Sequence, residues 1–375
     1  MKINNFVVRT LASLVLISSV CGKDLETRVE QLECKMKGVY LCSSENTGGA
    51  KFAGVIPHHA KNTTSVSAEI LVWHAKAGGT DYAIEFDSAF LSKFGDLKDL
   101  DFKWNVGFRA GVNHSFSQDK GELGLRFTYF RTHDTTRAGE PIENPALPKG
   151  QIIGFSRGKF DSTLGFYGLE LSYGQYYFLS RFLSAHPFIG LHTMWFDQTY
   201  KMHGRDLING SPSPFFALGL VDNRVIHNCD SWGIGPMVGI DMDWFWRKGI
   251  CFFSSIRGTL FSNYSDIDYR QNVLITPVGA PSVNPRVNIN GDRQLYIPQV
   301  TMMIGLKWGR QFSKTRYLEF SAAYETQYFW RINQTLDVSD TVPALAATGS
   351  VRVEYGRSSE DISFYGWTGK VRYTF

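Results

Sequence analysis

From about residue 66 to residue 375, apolar and polar side chains take turns in segment after segment, while no stretch reaches about 18 consecutive apolar residues. A two-residue period places one kind of side chain on each face of a strand, so every segment must meet two different surroundings. Ten segments carry the pattern: 66–76, 102–116, 122–132, 164–179, 186–200, 232–246, 250–263, 297–311, 316–330 and 363–375. In the second, Phe102, Trp104, Val106, Phe108, Ala110 and Val112 share one face, and Lys103, Asn105, Gly107, Arg109, Gly111 and Asn113 the other. In the sixth, Trp232, Ile234, Pro236, Val238, Ile240, Met242 and Trp244 oppose Gly233, Gly235, Asp241 and Asp243. The first segment fits least well, because Leu71 and Trp73 fall on its polar face.

Composition separates two all-β solutions. The 375 residues include 36 Gly, 28 Phe, 17 Tyr and 9 Trp, yet only 43% are hydrophobic. A chain rich in aromatics but not in apolar residues overall suits strands with lipid on one side and water on the other. A polar face so full of Gly is unusual in a soluble sandwich and suits the inner wall of a curved barrel. The links point the same way by alternating in length. Short ones lie at Ser117–Gly121, Ser180–Ala185, Arg247–Gly249 and Phe312–Thr315; long ones occupy about 77–101, 133–163, 201–231, 264–296 and 331–362. Structureless links of about 30 residues are abnormal in a compact soluble domain, but outer-membrane barrels have long external loops and short periplasmic turns. The expectation is therefore an all-β antiparallel transmembrane barrel of about ten strands over 66–375. Twelve would result if a long loop hid a hairpin, for instance at Ala83–Phe90 or Val351–Tyr355.

The preceding residues divide in two. Lys2 and Arg9 ahead of Leu11-Ala12-Ser13-Leu14-Val15-Leu16-Ile17, then small residues to Gly22, read as a signal peptide over 1–22. Residues 23–65 read as a short periplasmic helix and a linker. Leu25, Val29, Leu32 and Met36 make a seam of about two heptads within 24–37, which reads either as an amphipathic helix lying against the barrel or in the periplasm or as a small coiled coil joining subunits in a homo-oligomer. Cys34, Cys42, Cys229 and Cys251 match no zinc spacing, and their pairing is not legible.

At the other end Phe375, Tyr373, Val371, Gly369, Trp367 and Tyr365 share a face. A final aromatic on an amphipathic strand resembles the signal read by the barrel assembly machinery, which with outer-membrane lipid is an expected partner. The net charge of +4, with no basic run, gives no nucleic-acid footprint.

Strand parity points Lys103, Arg109, Glu122, Arg126, Glu170, Asp241, Asp243, Arg257, Lys307, Glu319, Glu325, Lys370 and Arg372 inward, together with Glu69. Charges of both signs on such a wall either line a watery channel or pair into a network that fills a narrow barrel. Near balance of the signs implies weak ion selectivity if the lumen is open. No catalytic, cofactor or metal motif is visible, and Gly233-Ile234-Gly235 lies inside a strand. The leading expectation is passive passage of ions or small hydrophilic solutes. The rivals are a surface adhesin or structural protein and, behind it, a protease-type barrel using rim residues among Asp81, His133, Asp134, Asp197, His203, Asp206, Asp230 and Asp266.

Three stretches resemble the Legionella-type major outer membrane protein family, also found in relatives of the chlamydiae. They are Glu69-Ile70-Leu71-Val72-Trp73-His74-Ala75-Lys76 with Thr80-Asp81-Tyr82-Ala83, Trp104-Asn105-Val106-Gly107-Phe108-Arg109-Ala110-Gly111, and Ser231-Trp232-Gly233-Ile234-Gly235-Pro236. The resemblance implies a pore-forming barrel in the outer membrane of a Gram-negative-type bacterium and assigns no binding residues.

Overall fold

A computed structural model describes residues 62–80, 83–86, 95–116, 121–138, 142–143, 154–180, 182–207, 219–246, 250–277, 286–312, 316–341 and 352–375. The expected signal peptide and the helix over 24–37 lie outside these residues. Ten antiparallel strands form the ring: β1 (Thr63–Ala77), β2 (Asn105–Ser115), β3 (Gly121–Ala138), β4 (Gly154–Gln175), β5 (Leu183–Leu207), β6 (Gly219–Phe245), β7 (Ile250–Pro277), β8 (Arg286–Gln311), β9 (Tyr317–Thr341) and β10 (Arg352–Thr374). Each pairs with the next, and β1 also pairs with β10, in a register that sets Val66 opposite Tyr373 and Ala77 opposite Ile362. The Thr64 and Phe375 backbones exchange hydrogen bonds of 3.1 and 2.9 Å across this seam. Closure leaves the ring without a bare edge, as a strand assembly in hydrocarbon requires.

The alternation has its cause in the surroundings. Ile70, Val106 and Ile189 are 63, 67 and 63% exposed on the outer face, a burden a water-soluble surface would not carry but lipid accepts. Trp104, Trp195, Trp232, Tyr264, Tyr296, Tyr328 and Trp330 are exposed toward the long-loop end, and Trp244, Trp246, Trp308 and Tyr373 toward the opposite end. Two aromatic girdles follow from that placement.

Three expectations need correction. Most of the supposed long loops are strand. Residues 133–138, 154–163, 201–207, 219–231, 264–277, 286–296, 331–341 and 352–362 continue the ladders past the outer girdle. β4 to β10 run 22 to 28 residues against the roughly 9–11 that a membrane needs. Backbone that leaves lipid can keep its cross-strand hydrogen bonds in water, and the change of outward residues from apolar to charged disguises the continuity. Second, the hairpin in the first long link exists, Ala83–Phe86 with Gly95–Lys98, but it attaches to Ile142–Glu143 outside the ring. Val351–Tyr355 gives no extra hairpin, since residues from Arg352 onward belong to β10; the ring has ten strands. Third, Leu71 and Trp73 are not errors of pattern. They are fully buried and face inward, as Ala75 and Ala77 do.

One irregularity reshapes the inner wall. Between Phe329 and Asn333 the β9–β10 register slips, and Arg331 takes φ of 56°. Its amide donates to Asp361 Oδ1 at 2.7 Å, which secures the turn of the backbone. Through this bulge Ile332, Asn333 and Gln334 are all buried in sequence, which a plain two-residue period forbids.

Candidate functional site

The inward side chains sort into two layers along the barrel. Next to the short-turn end lies a polar chamber of about 140 Å³, lined from all ten strands. Toward the long-loop end lies an apolar layer: Leu71, Trp73 and Ala75 of β1, Phe102 just ahead of β2, Phe130 of β3, Leu164 and Phe166 of β4, Met194 and Phe196 of β5, Phe261 of β7, Ile297 of β8, Phe329 of β9 and Phe364 of β10. On each of β1, β3, β4, β5, β7, β9 and β10 the apolar residue lies beyond the polar ones, so the order is the same around the ring.

The apolar layer reaches across. Phe364 lies 5.4 Å from Phe130, 5.4 Å from Phe166, 5.9 Å from Trp73 and 6.1 Å from Phe196, centroid to centroid. Phe166 also meets Phe329 at 5.5 Å, and Phe196 meets Phe329 at 5.1 Å. β4 and β9 stand five strands apart in a ring of ten, so these rings touch across the lumen and stop it. Four of these contacts are tilted or edge-on and the two with Trp73 and Phe196 on Phe364 are near-parallel at about 6 Å, arrangements that aromatic quadrupoles favour over a face-to-face sandwich.

Beneath this stopper, Arg109 is 1% exposed and holds two carboxylates. Its Nη1 donates to Glu69 at 2.8 Å, its Nη2 to Glu325 at 2.8 Å and its Nε to Thr128 at 3.0 Å. Thr368 donates to Glu325 at 2.9 Å, and the Trp73 indole donates to Thr368 at 3.3 Å, which ties the stopper to the clamp. The Arg109 guanidinium also lies 5.3 Å from the Trp73 ring centre. Around the chamber Lys307 pairs with Asp243 at 2.6 Å, Lys370 with Glu69 at 3.3 Å and Arg372 with Glu122 at 3.5 Å. Arg126 bonds Glu170. On the β5–β7 wall the spacing widens: His186 to Asp241 is 3.6 Å, and Arg257 is 3.8 Å from both Asp241 and Glu170.

Of the residues expected inward, Glu122, Arg126, Glu170, Asp241, Asp243, Arg257, Lys307, Glu319, Lys370 and Arg372 line the chamber, and Arg109 and Glu325 lie buried in the clamp above it. Lys103 does not join them. It is exposed on non-strand backbone ahead of β2, and its neighbour Phe102 turns inward instead, because the two-residue period starts only at Asn105. Phe375, Tyr373 and Val371 face outward on the closing strand. Cys229 and Cys251 are buried free thiols.

Of the rim residues considered for hydrolysis, Asp81 lies outside the described residues, and those whose side chains are described spread over both faces. Asp197, Asp230 and Asp266 stand opposite one another on the outer face of β5, β6 and β7, while Asp134 is buried on the inner face. His203 bonds Asp222 at 2.8 Å, and His133 lies 3.2 Å from Thr163. Burial tends to raise the Asp222 carboxyl, but hydrogen bonds from Arg224 and His203 outweigh it and hold the group below the usual aspartate range. Among the described residues no cluster of metal-ligating side chains occurs.

The stopper is what inspection of the sequence missed, although a signal was present. Tyr129-Phe130, Phe166-Tyr167, Trp195-Phe196, Tyr328-Phe329-Trp330 and Phe364-Tyr365 place aromatics side by side, so one of each set had to face the lumen.

A family model described as Legionella pneumophila major outer membrane protein precursor matches residues 55–375. No curated protein matches the chain. Among solved structures, the outer membrane protease OmpT of Escherichia coli is 8% identical over 84% of this chain and 97% of its own, with a TM-score of 0.40. The toluene transporter TodX of Pseudomonas putida is 11% identical over 88% and 94%, at 0.31, and a FadL homologue of Pseudomonas aeruginosa is 9% identical over 89% and 93%, at 0.26. Values this low carry no function across.

Proposed function

The chain belongs to the Legionella major outer membrane protein family and is an outer-membrane β-barrel; from that premise we propose that it is a passive pore for small hydrophilic solutes and ions, closed at rest by its aromatic layer. The observation that carries the reading is the chamber. Six carboxylates and five cations line it, a wall suited to hydrated solutes and not to lipid, and the aromatic layer stands between it and the long-loop end, with two smaller buried clusters around Phe160 and Ile267 farther out. Passage then requires the Phe364 ring and its neighbours to swing aside, which makes the closed state dry and the open state brief. The near balance of lining charge supports weak discrimination between cations and anions. No covalent chemistry is assigned to the barrel.

Planar-bilayer recordings test the proposal. The refolded protein is expected to show rare, small openings, and Phe364→Ala to show sustained conductance with little preference for either ion. A folded Phe364→Ala barrel that stays silent at every voltage and excludes small solutes from vesicles would remove the pore reading.

A second reading has its own observation. Beyond the outer girdle the walls of β5 to β8 continue as paired strands with charged outward faces, Asp197, Asp230, Asp266 and Asp292 standing in one register row. A rigid, exposed surface of that kind supports a role in contacts outside the cell. Loss of binding to host or matrix proteins when that row is changed to Asn, with conductance untouched, would favour it.

A further inference from the structure

The chamber's two walls differ in how completely their charges are satisfied. On the side of β1, β2 and β9, the Arg109 clamp closes at 2.8 Å, and Lys307 of β8 reaches Asp243 at the short-turn end of β6 at 2.6 Å, both within hydrogen-bond range. Around Asp241, deeper on the β5–β7 side, His186 and Arg257 stand 3.6–3.8 Å from their nearest opposite charges. There, both ring nitrogens of His186, Oδ1 of Asp241 and Nε and Nη1 of Arg257 have no hydrogen-bond partner, though all are shielded from bulk solvent. His186 as a whole is only 8% exposed. Unmet donors and acceptors gathered on one cavity wall are costly unless something fills them.

We infer that this wall is a binding station for a small uncharged polyhydroxy solute, a monosaccharide or similar polyol. The inference rests on the pore reading and names the solute class it serves. Charge decides against an ion. Arg126 and Arg257 face Glu170 and Asp241, so the cations and carboxylates cancel, and an ion of either sign would meet as much repulsion as attraction. Hydroxyl groups donate and accept at once, which matches a wall offering both unmet donors and unmet acceptors. The wall also supplies flat apolar surface for the C–H face of such a solute. Phe188 lies with its ring centre 5.5 Å from the Arg257 guanidinium, and Tyr176 stacks on His186 at 4.0 Å. Phe188 can lie against the wall because Gly239 stands behind it; a Cβ there would come within 2.4 Å of the ring. A few placed polar groups against aromatic faces are the usual make-up of a small-molecule site.

The test is equilibrium binding to the refolded full chain in detergent micelles, by saturation-transfer NMR and calorimetry, with glucose, glycerol and sodium acetate as probes. Saturable glucose binding is expected, with acetate at least about tenfold weaker, since a site built for hydroxyls discriminates against groups that leave its donors or acceptors unmet. The charge-neutral double variant Asp241→Asn/Arg257→Gln should weaken glucose at least about tenfold. Asp222→Asn, in the exposed cluster beyond the outer girdle, should leave it unchanged. If the double variant does not fold, Phe188→Leu replaces it and should weaken glucose without altering acetate. Acetate binding as well as glucose, no saturable glucose signal, or glucose affinity unchanged in the folded variants would each overturn the inference. Micellar binding needs no conduction, so its failure is distinct from a silent Phe364→Ala pore.

Discussion

The chamber and the stopper fill the same narrow ring by opposite means. The stopper does so with side chains that need only volume and contact, so many arrangements of rings would serve. Polar groups in the chamber need specific partners at specific distances, and each is costly when one goes missing. The difference teaches where the barrel tolerates change. A hydrophobic swap in the stopper alters how tightly the lumen is shut, whereas a polar deletion in the clamp leaves charge stranded.

The sharpest way to break that comparison is Arg109→Met. It strands Glu325, which is 1% exposed, and leaves Glu69, 4% exposed, to Lys370 alone, and should destabilise the barrel by about 3–5 kcal/mol in urea titrations. Adding Glu325→Gln should recover part of the loss by removing one stranded charge. A cost no larger than that of a stopper swap would refute the contrast. Next comes Phe364→Leu, which keeps most of the apolar volume and should cost only about 1.5 kcal/mol or less, with the lumen still closed to current. Large conductance from Leu at this position would show that ring shape, not apolar volume, makes the seal.

The smallest effect belongs to an exposed ion cluster outside the membrane. Asp222, held below its ordinary value, pairs with His203 and with Arg224, which is 60% exposed. Asp222→Asn should cost less than about 1 kcal/mol, because solvent screens such pairs. The folded carboxyl has the lower pKa, so its contribution is complete above the ordinary value of 3.8 and fades as pH falls through the folded value. Unfolding midpoints of wild type and Asn variant should therefore converge below that point. A gap that widens in acid would reverse the sign.

How much could be read beforehand varies from element to element. Strand count, closure and the outward faces were legible wherever lipid enforced one kind of side chain, as in Val106, Phe108, Ala110 and Val112. The ladders beyond the girdle were not, because outward residues there meet water and the contrast between faces disappears, as at Asp266, Asp268 and Arg270 on β7. Phe102 and Lys103 exchanged places because the parity was extended over backbone that is not yet strand. The β9 bulge at Arg331 carries no Gly to announce it. Most of the charged chamber residues were placed by parity, but parity cannot distinguish a tight pair from a loose one.

What the amino-acid order determined by itself is therefore the face each side chain takes, since that follows from a two-residue period and two solvents. What only the folded ring decided is which faces meet. Arg109 reaches Glu325 across 216 positions, and Phe364 reaches Phe166 from the far wall. Those meetings depend on strand register and on curvature summed around ten strands, quantities no single segment contains.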